Sequence, residues 1–228
     1  MSEQLGLNLP SKTARGREDF FVSPANALAV ATLEDWKNWP NRKMILSGPR
    51  GSGKTHLAHV WAGDTGADVL AANGLADSDI EALAQNPFLV VEDIPDIAGQ
   101  NSAEQALFHL HNLILANGGT LLLTGDAAPS RWPTRLPDLA SRLQGTSVAT
   151  LDPPDDALLA AVLLKLFADR QLSPAPTVIG YLVSNMERSF DIAGQVVALM
   201  DRIALANRRK LNRGLAADVL DILRDPDP

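Results

Sequence analysis

The chain has 228 residues, 46% of them hydrophobic and 21% charged, with no cysteine and a formal net charge of -7. This allows one large domain or a medium one with a small appendage, excludes disulfides and thiolate metal sites, and fits a reducing cytoplasm. The acidic balance repels a polyphosphate backbone, so the expected partners are proteins or small molecules, and DNA is met only indirectly or weakly through a local basic patch.

The first residues carry no basic stretch followed by an apolar one, and no apolar run nears the roughly 20 residues that span a bilayer; neither a secretory leader nor membrane association is expected. Residues 1–18 read as a flexible arm in which Leu5, Leu7 and Leu9 alternate with small or polar residues. Ser23-Pro24 then offers an N-cap with proline at the first helical position, and Leu28, Val30, Leu33 and Trp36 continue as a helix. KMILS (43–47) is a buried strand by its apolar run, followed by a helix from Lys54. A weaker strand at Asp68–Ala71, a short helix near Ser78–Ala84 and a strong strand, FLVVE (88–92), come next. Asn101 with Glu104 reads as an N-cap pair opening a helix whose apolar face is Ala106, Leu107, Leu110, Leu113 and Ile114. TLLLT (120–124), a short helix in LPDLASRL and SVATL (147–151) complete a strand–helix alternation, which predicts a parallel sheet covered on both faces. After DPPDD (152–156) only helical periodicity remains, at about 157–170, 176–185, 191–209 and 215–223. The expected division is an arm (1–18), an α/β domain (19–152) and a small all-helical lid (153–228).

GPRGSGKT (48–55) lies between a strand and a helix and satisfies G-x-x-x-x-G-K-[ST], the phosphate-binding P-loop. Gly48, Gly51 and Gly53 let the backbone turn its N–H groups into an anion-binding concavity, to which Pro49, Arg50 and Ser52 also belong. Lys54 brings positive charge to the terminal phosphates. Thr55 offers a hydroxyl to Mg2+, and the helix running on through His56 starts with its positive end at the phosphates. A P-loop site also needs acid at a strand end, which FLVVE followed by Asp93 supplies through Glu92 and Asp93. The histidines of HLH (109–111) diverge on a helix and cannot share a metal. His56 and His59 lack a third ligand, and NRRKLNR (207–213) complements a helix C-terminus.

In this order and spacing, GPRGSGKTHL, VVEDI, LLLTGD and LPDLASRL resemble the AAA+ module of the bacterial replication initiator DnaA. They are more similar still to its shortened homologues, the regulatory inactivators of DnaA (Hda). The resemblance implies an AAA+ P-loop NTPase fold binding ADP or ATP with Mg2+, the metal being held by Thr55 and Glu92. REDFFVSPANALAV resembles the segment that covers the adenine, which gives Phe21 and Val22 a place beside the base. The resemblance makes Thr124 the sensor of the terminal phosphate, Arg142 an arginine finger directed at a neighbouring subunit's nucleotide, and Arg188 a second sensor reaching from the lid. QLGLNL (4–9) is similar to the peptide that docks proteins on the DNA polymerase sliding clamp, with Gln4 in a polar pocket and Leu5, Leu7 and Leu9 in an apolar groove.

Two departures bear on function. The acidic pair is Glu-Asp where the initiator has Asp-Asp; the extra methylene of Glu92 moves its carboxylate by roughly an ångström, which counts against hydrolysis by this chain alone but not against binding. The initiator's helix-turn-helix domain has no counterpart, which argues against autonomous sequence-specific DNA binding. The expectation is therefore a clamp-tethered adaptor that promotes ATP hydrolysis by DnaA and so restrains replication initiation, and homo-oligomers remain open. The alternatives are a self-sufficient AAA+ ATPase, such as a helicase loader, and a non-catalytic replication or cell-cycle binding module.

Overall fold

Residues 21–225 are described by a computed structural model. Within them the apolar runs form β1 (Lys43–Ser47), β2 (Asp68–Ala71), β3 (Phe88–Glu92), β4 (Thr120–Gly125) and β5 (Val148–Thr150). All pairings are parallel, and the order across the sheet is β2-β3-β4-β1-β5.

The period of two along each strand sends apolar side chains to both faces. Ile45, Leu89, Val91, Leu121 and Leu123 face one side, with Leu107, Leu110 and Ile114 of α4 (Asn101–Ala116) and Leu139 and Leu143 of α5 (Pro137–Gln144). Met44, Leu46, Val90 and Leu122 face the other, under Ala29 and Leu33 of α1 (Ala27–Glu34) and Leu57, Ala58 and Trp61 of α2 (Lys54–Thr65). Burying each such leucine contributes about 1.5–3 kcal/mol, which is why the central strands read as unbroken apolar runs. The short helix α3 (Ile80–Leu83) closes the first face beside α4.

A separate core joins α6 (Asp156–Asp169), α7 (Pro176–Asn185), α8 (Phe190–Asn207) and α9 (Arg213–Arg224). Phe167, Leu182, Val196, Met200 and Leu215 fill it, each under 2% exposed. Side chains open three of these helices: Asp155 accepts from the Leu158 amide at 2.8 Å, Ser189 from Ile192 at 3.3 Å and Asn212 from Leu215 at 3.0 Å.

Two local expectations are corrected. Ser23-Pro24 does not cap α1; the Ser23 amide donates to Asn26 Oδ1 at 2.9 Å, the Asn26 amide nitrogen donates to the Phe21 carbonyl at 2.9 Å, and the helix begins at Ala27. The asparagine closes a turn that the proline only enters. Asn101 and Glu104 do not form a cap pair either. Gln100 occupies the cap position without a side-chain bond to the helix, its side-chain amide donating instead to the Asp96 carbonyl at 2.8 Å. The Glu104 carboxylate reaches across to Gly99, Arg135 and Leu136.

Candidate nucleotide site

The loop after β1 runs from Gly48 to Gly53 and then enters α2. Gly51 and Gly53 hold φ of 71° and 96°, a left-handed backbone that glycine adopts at no steric cost. A Cβ on Gly48 would stand 2.5 Å from the Leu151 carbonyl oxygen, so bulk is excluded there for a different reason. The loop is also roofed: the Phe190 amide at the start of α8 donates to the Gly51 carbonyl at 2.8 Å, and a Cβ on Gly51 would collide with Ser189.

Lys54 is 7% exposed and donates to the Gly48 and Pro49 carbonyls at 2.7 and 3.0 Å. Burial pulls its ammonium below the ordinary lysine value, and Asp93, Asp126 and Asp191 offset this only in part. Ser52 is 4% exposed, and its Oγ has no hydrogen-bond partner among the described residues. Glu92, at the end of β3, keeps Oε2 3.7 Å from His59 Nε2 of α2, while Oε1 is buried without a hydrogen-bond partner among the described residues. Asp93 follows in the left-handed region, φ 56°, with its amide donating to Thr124 Oγ1 at 2.9 Å. That bond ties the ends of β3 and β4 together beside the loop.

A cavity of about 490 Å³ opens above these residues. Its polar floor includes Lys54, Thr55 and His56 with Arg50 and Asp93, and Phe21 and Asn26 enter from the segment before α1. Leu158, Val162 and Leu166, four residues apart on α6, make an apolar wall. This position, outside the carboxyl ends of parallel strands, is where open α/β sheets receive ligands. Uncommitted groups and glycine-shaped space in the loop suit a phosphate group, and the neighbouring strand-end carboxylates suit its counterion.

No protein-family model matches the chain. An uncharacterised protein of Haemophilus influenzae is 27% identical over 97% of this chain and its own full length. Domain III of the Thermotoga maritima replication initiation protein DnaA superposes with a TM-score of 0.77 at 17% identity, covering 93% of this chain and 98% of that one. The AMPPCP-bound DnaA of Aquifex aeolicus superposes at 0.69 and 18%, covering 83% and 65%, and an ADP complex of the FIGL-1 AAA domain at 0.67 and 12%, covering 88% and 80%. The fold is that of a DnaA-like AAA+ module.

In this fold Gly51, Gly53, Arg50, Lys54, Thr55, His56, Phe21 and Asp93 converge on the cavity, while Val22 lines a separate groove beside α1 and α2. Arg188 is not brought there; its guanidinium meets Asp156 at 2.6 Å and the Pro154 carbonyl at 3.2 Å, at the start of α6. Arg142 stands exposed in the last turn of α5, also away from the cavity lining. Gln4, Leu5, Leu7 and Leu9 lie outside the described residues. Sequence reasoning missed Asn26, Asp96, Phe190, Asp191 and the α6 wall; the i, i+4, i+8 spacing of Leu158, Val162 and Leu166 was the available signal, and it also fits an ordinary core helix. Among the described residues no three His, Cys, Asp or Glu groups are placed to hold a metal by themselves, and no helix is long and apolar enough to cross a membrane.

Proposed function

We propose that the chain binds an adenine nucleotide with Mg2+ and acts as an adaptor, tethered to the polymerase sliding clamp, that promotes ATP hydrolysis by the replication initiator DnaA. The observation that carries this reading is the division of labour between two ends of one sheet. The phosphate loop and its cavity stand at the carboxyl ends of the strands, whereas Arg142 projects from α5 without lining that cavity. A guanidinium so placed does not serve its own chain's phosphates and is available to a neighbour's, for which its paired donors are suited.

Within the cavity, the Gly48–Thr55 amides and Lys54 would hold the phosphates. Thr55 and Glu92 would hold the metal, whose charge offsets the phosphates and the surrounding Asp93, Asp96 and Asp191. The AMPPCP and ADP complexes of the DnaA and FIGL-1 structures support adenine as the base. Phe21 and the α6 wall offer it an apolar slot. Thr124 accepts from the Asp93 main-chain amide, so the strand end that carries the acid is tied beside the loop. Gln4 with Leu5, Leu7 and Leu9 would add the clamp contact, burying three leucines at about 1.5–3 kcal/mol each before the entropic cost of docking.

The test is a reconstituted assay containing ATP-loaded DnaA, DNA-loaded clamp and this protein. Accelerated ATP loss that needs both Gln4 and Arg142, read with Gln4→Ala and Arg142→Ala, is the expected outcome. Vigorous hydrolysis by the purified chain, indifferent to clamp, would replace the adaptor with a self-sufficient ATPase. No acceleration under any condition would leave a binding module.

A further inference from the structure

Helix α5 carries Arg142 and is only eight residues long, too short to hold its own position by helical propensity. Two buried charges grip it. At its start the Glu104 carboxylate, 2% exposed, accepts from the Leu136 amide at 2.7 Å, from Arg135 at 3.0 Å and from Gly99 at 2.6 Å. At its end Lys43, 6% exposed on β1, donates from Nζ to the carbonyl of Arg142 at 3.1 Å, beside the Thr146 hydroxyl, which donates to the same oxygen at 2.8 Å from the helix's own terminus. The anion sits at the helix's positive end and the cation at its negative end, the arrangement that the aligned peptide dipoles favour.

Lys43 has a second partner, His111 Nε2 of α4, at 3.2 Å. An ammonium only donates, so Nε2 accepts, and the ring proton sits on Nδ1 facing Asn112 Oδ1 at 3.2 Å. Both pins thus root in α4, since Glu104 and His111 lie two turns apart on it. The charged groups acting on His111 are Lys43 from β1 and Arg142 from α5, and none of the described carboxylates offsets them.

We propose that Lys43, seated on a neutral His111 and opposed by Glu104, is a positioning residue for Arg142, and that protonating His111 releases it. A proton on Nε2 would set a second cation against Lys43, remove its acceptor and loosen the tie between β1 and the α5 terminus, leaving the Arg142 carbonyl to the local Thr146 hydroxyl. Burial and then the Lys43 charge already hold the imidazole below its ordinary value, so release belongs to acid rather than neutral conditions. The pin itself stands on geometry; only the consequence for a partner rests on the finger reading of Arg142.

Hydrogen exchange of the full-length protein, corrected for intrinsic rates, tests the pin without any partner. Lys43→Met is expected to raise exchange in residues 139–146 by about tenfold, the worth of one charge-assisted hydrogen bond, with α2 unchanged. In the wild-type protein the same segment should lose protection on acidification below the ordinary imidazole value, and His111→Asn should flatten that profile. In the reconstituted assay Lys43→Met should slow DnaA-coupled hydrolysis by up to roughly a hundredfold at unchanged nucleotide affinity, as expected for a misplaced group. If Arg142→Ala leaves coupled hydrolysis intact, the finger reading fails while the exchange data still judge the pin. Wild-type protection of α5 in Lys43→Met overturns the proposal; should that variant not fold, a flat wild-type pH profile overturns it equally.

Discussion

Two buried lysines stand at opposite ends of the same strand, and their surroundings differ in kind. Lys43 opens β1 and Lys54 follows the loop that closes it, both under 8% exposed and both donating to carbonyls. Around Lys54 stand Asp93, Asp126 and Asp191, whereas the neighbours acting on Lys43 include Arg142 and no described carboxylate. Main-chain carbonyls satisfy an ammonium without neutralising it, so Lys54 waits beside space for an anion. Lys43 is committed to a helix end. Similar exposure therefore marks a binding group in one place and a fixture in the other.

The contrast between a group that holds the fold and one that waits for a ligand can be broken most forcefully at Glu104, which grips the other end of the helix that Lys43 holds. Glu104→Ala would strand the Gly99, Arg135 and Leu136 amides and should lower unfolding free energy by about 3–5 kcal/mol in denaturant titration, whether or not nucleotide is present. Lys54→Met should do the opposite: calorimetry should show a loss of nucleotide affinity of about 1.5–3 kcal/mol, while the melting temperature of the nucleotide-free protein stays near wild type. Equal effects of the two variants on stability would erase the distinction.

Acid sharpens it further. His111 is held neutral in the fold, so its contribution is complete above the ordinary imidazole value of 6.5, drains below it and is gone once pH has passed the depressed folded value. For Glu104, burial raises the carboxyl and three amide donors more than offset it; its contribution persists above the ordinary value of 4.5 and is lost at lower pH. Stability against pH should therefore fall in two steps, with His111→Asn removing the upper one. The smallest change belongs to Arg188→Ala, whose half-exposed partnership with Asp156 is worth about 0–1 kcal/mol in a melting experiment. A loss of nucleotide affinity in that variant would show that the guanidinium leaves Asp156 for the cavity.

What the sequence disclosed follows from how local each signal is. The strands were legible because burial on both faces leaves runs such as Leu121-Leu122-Leu123, and the phosphate loop because its constraints fall within eight consecutive residues. Glu104 looked like a cap because a cap is what a glutamate can do within four residues. Its real partners at Arg135 and Leu136 lie 31 and 32 positions away. Lys43 was read only as the first letter of a strand, since His111 and Arg142 stand 68 and 99 residues downstream. The guanidinium of Arg188 took the nearest carboxylate, which sequence spacing does not encode.

The tryptophans leave an optical asymmetry. Trp39 stacks on Trp61 at 5.4 Å with Trp36 edge-on, and Trp132 packs against Gly125, so all four rings report on the sheet and its covering helices. None lies in α6 to α9, whose aromatic complement is Phe167, Tyr181 and Phe190. Indole emission would stay silent while that bundle melts, and circular dichroism would not; divergent traces from the two instruments would reveal the halves coming apart in sequence.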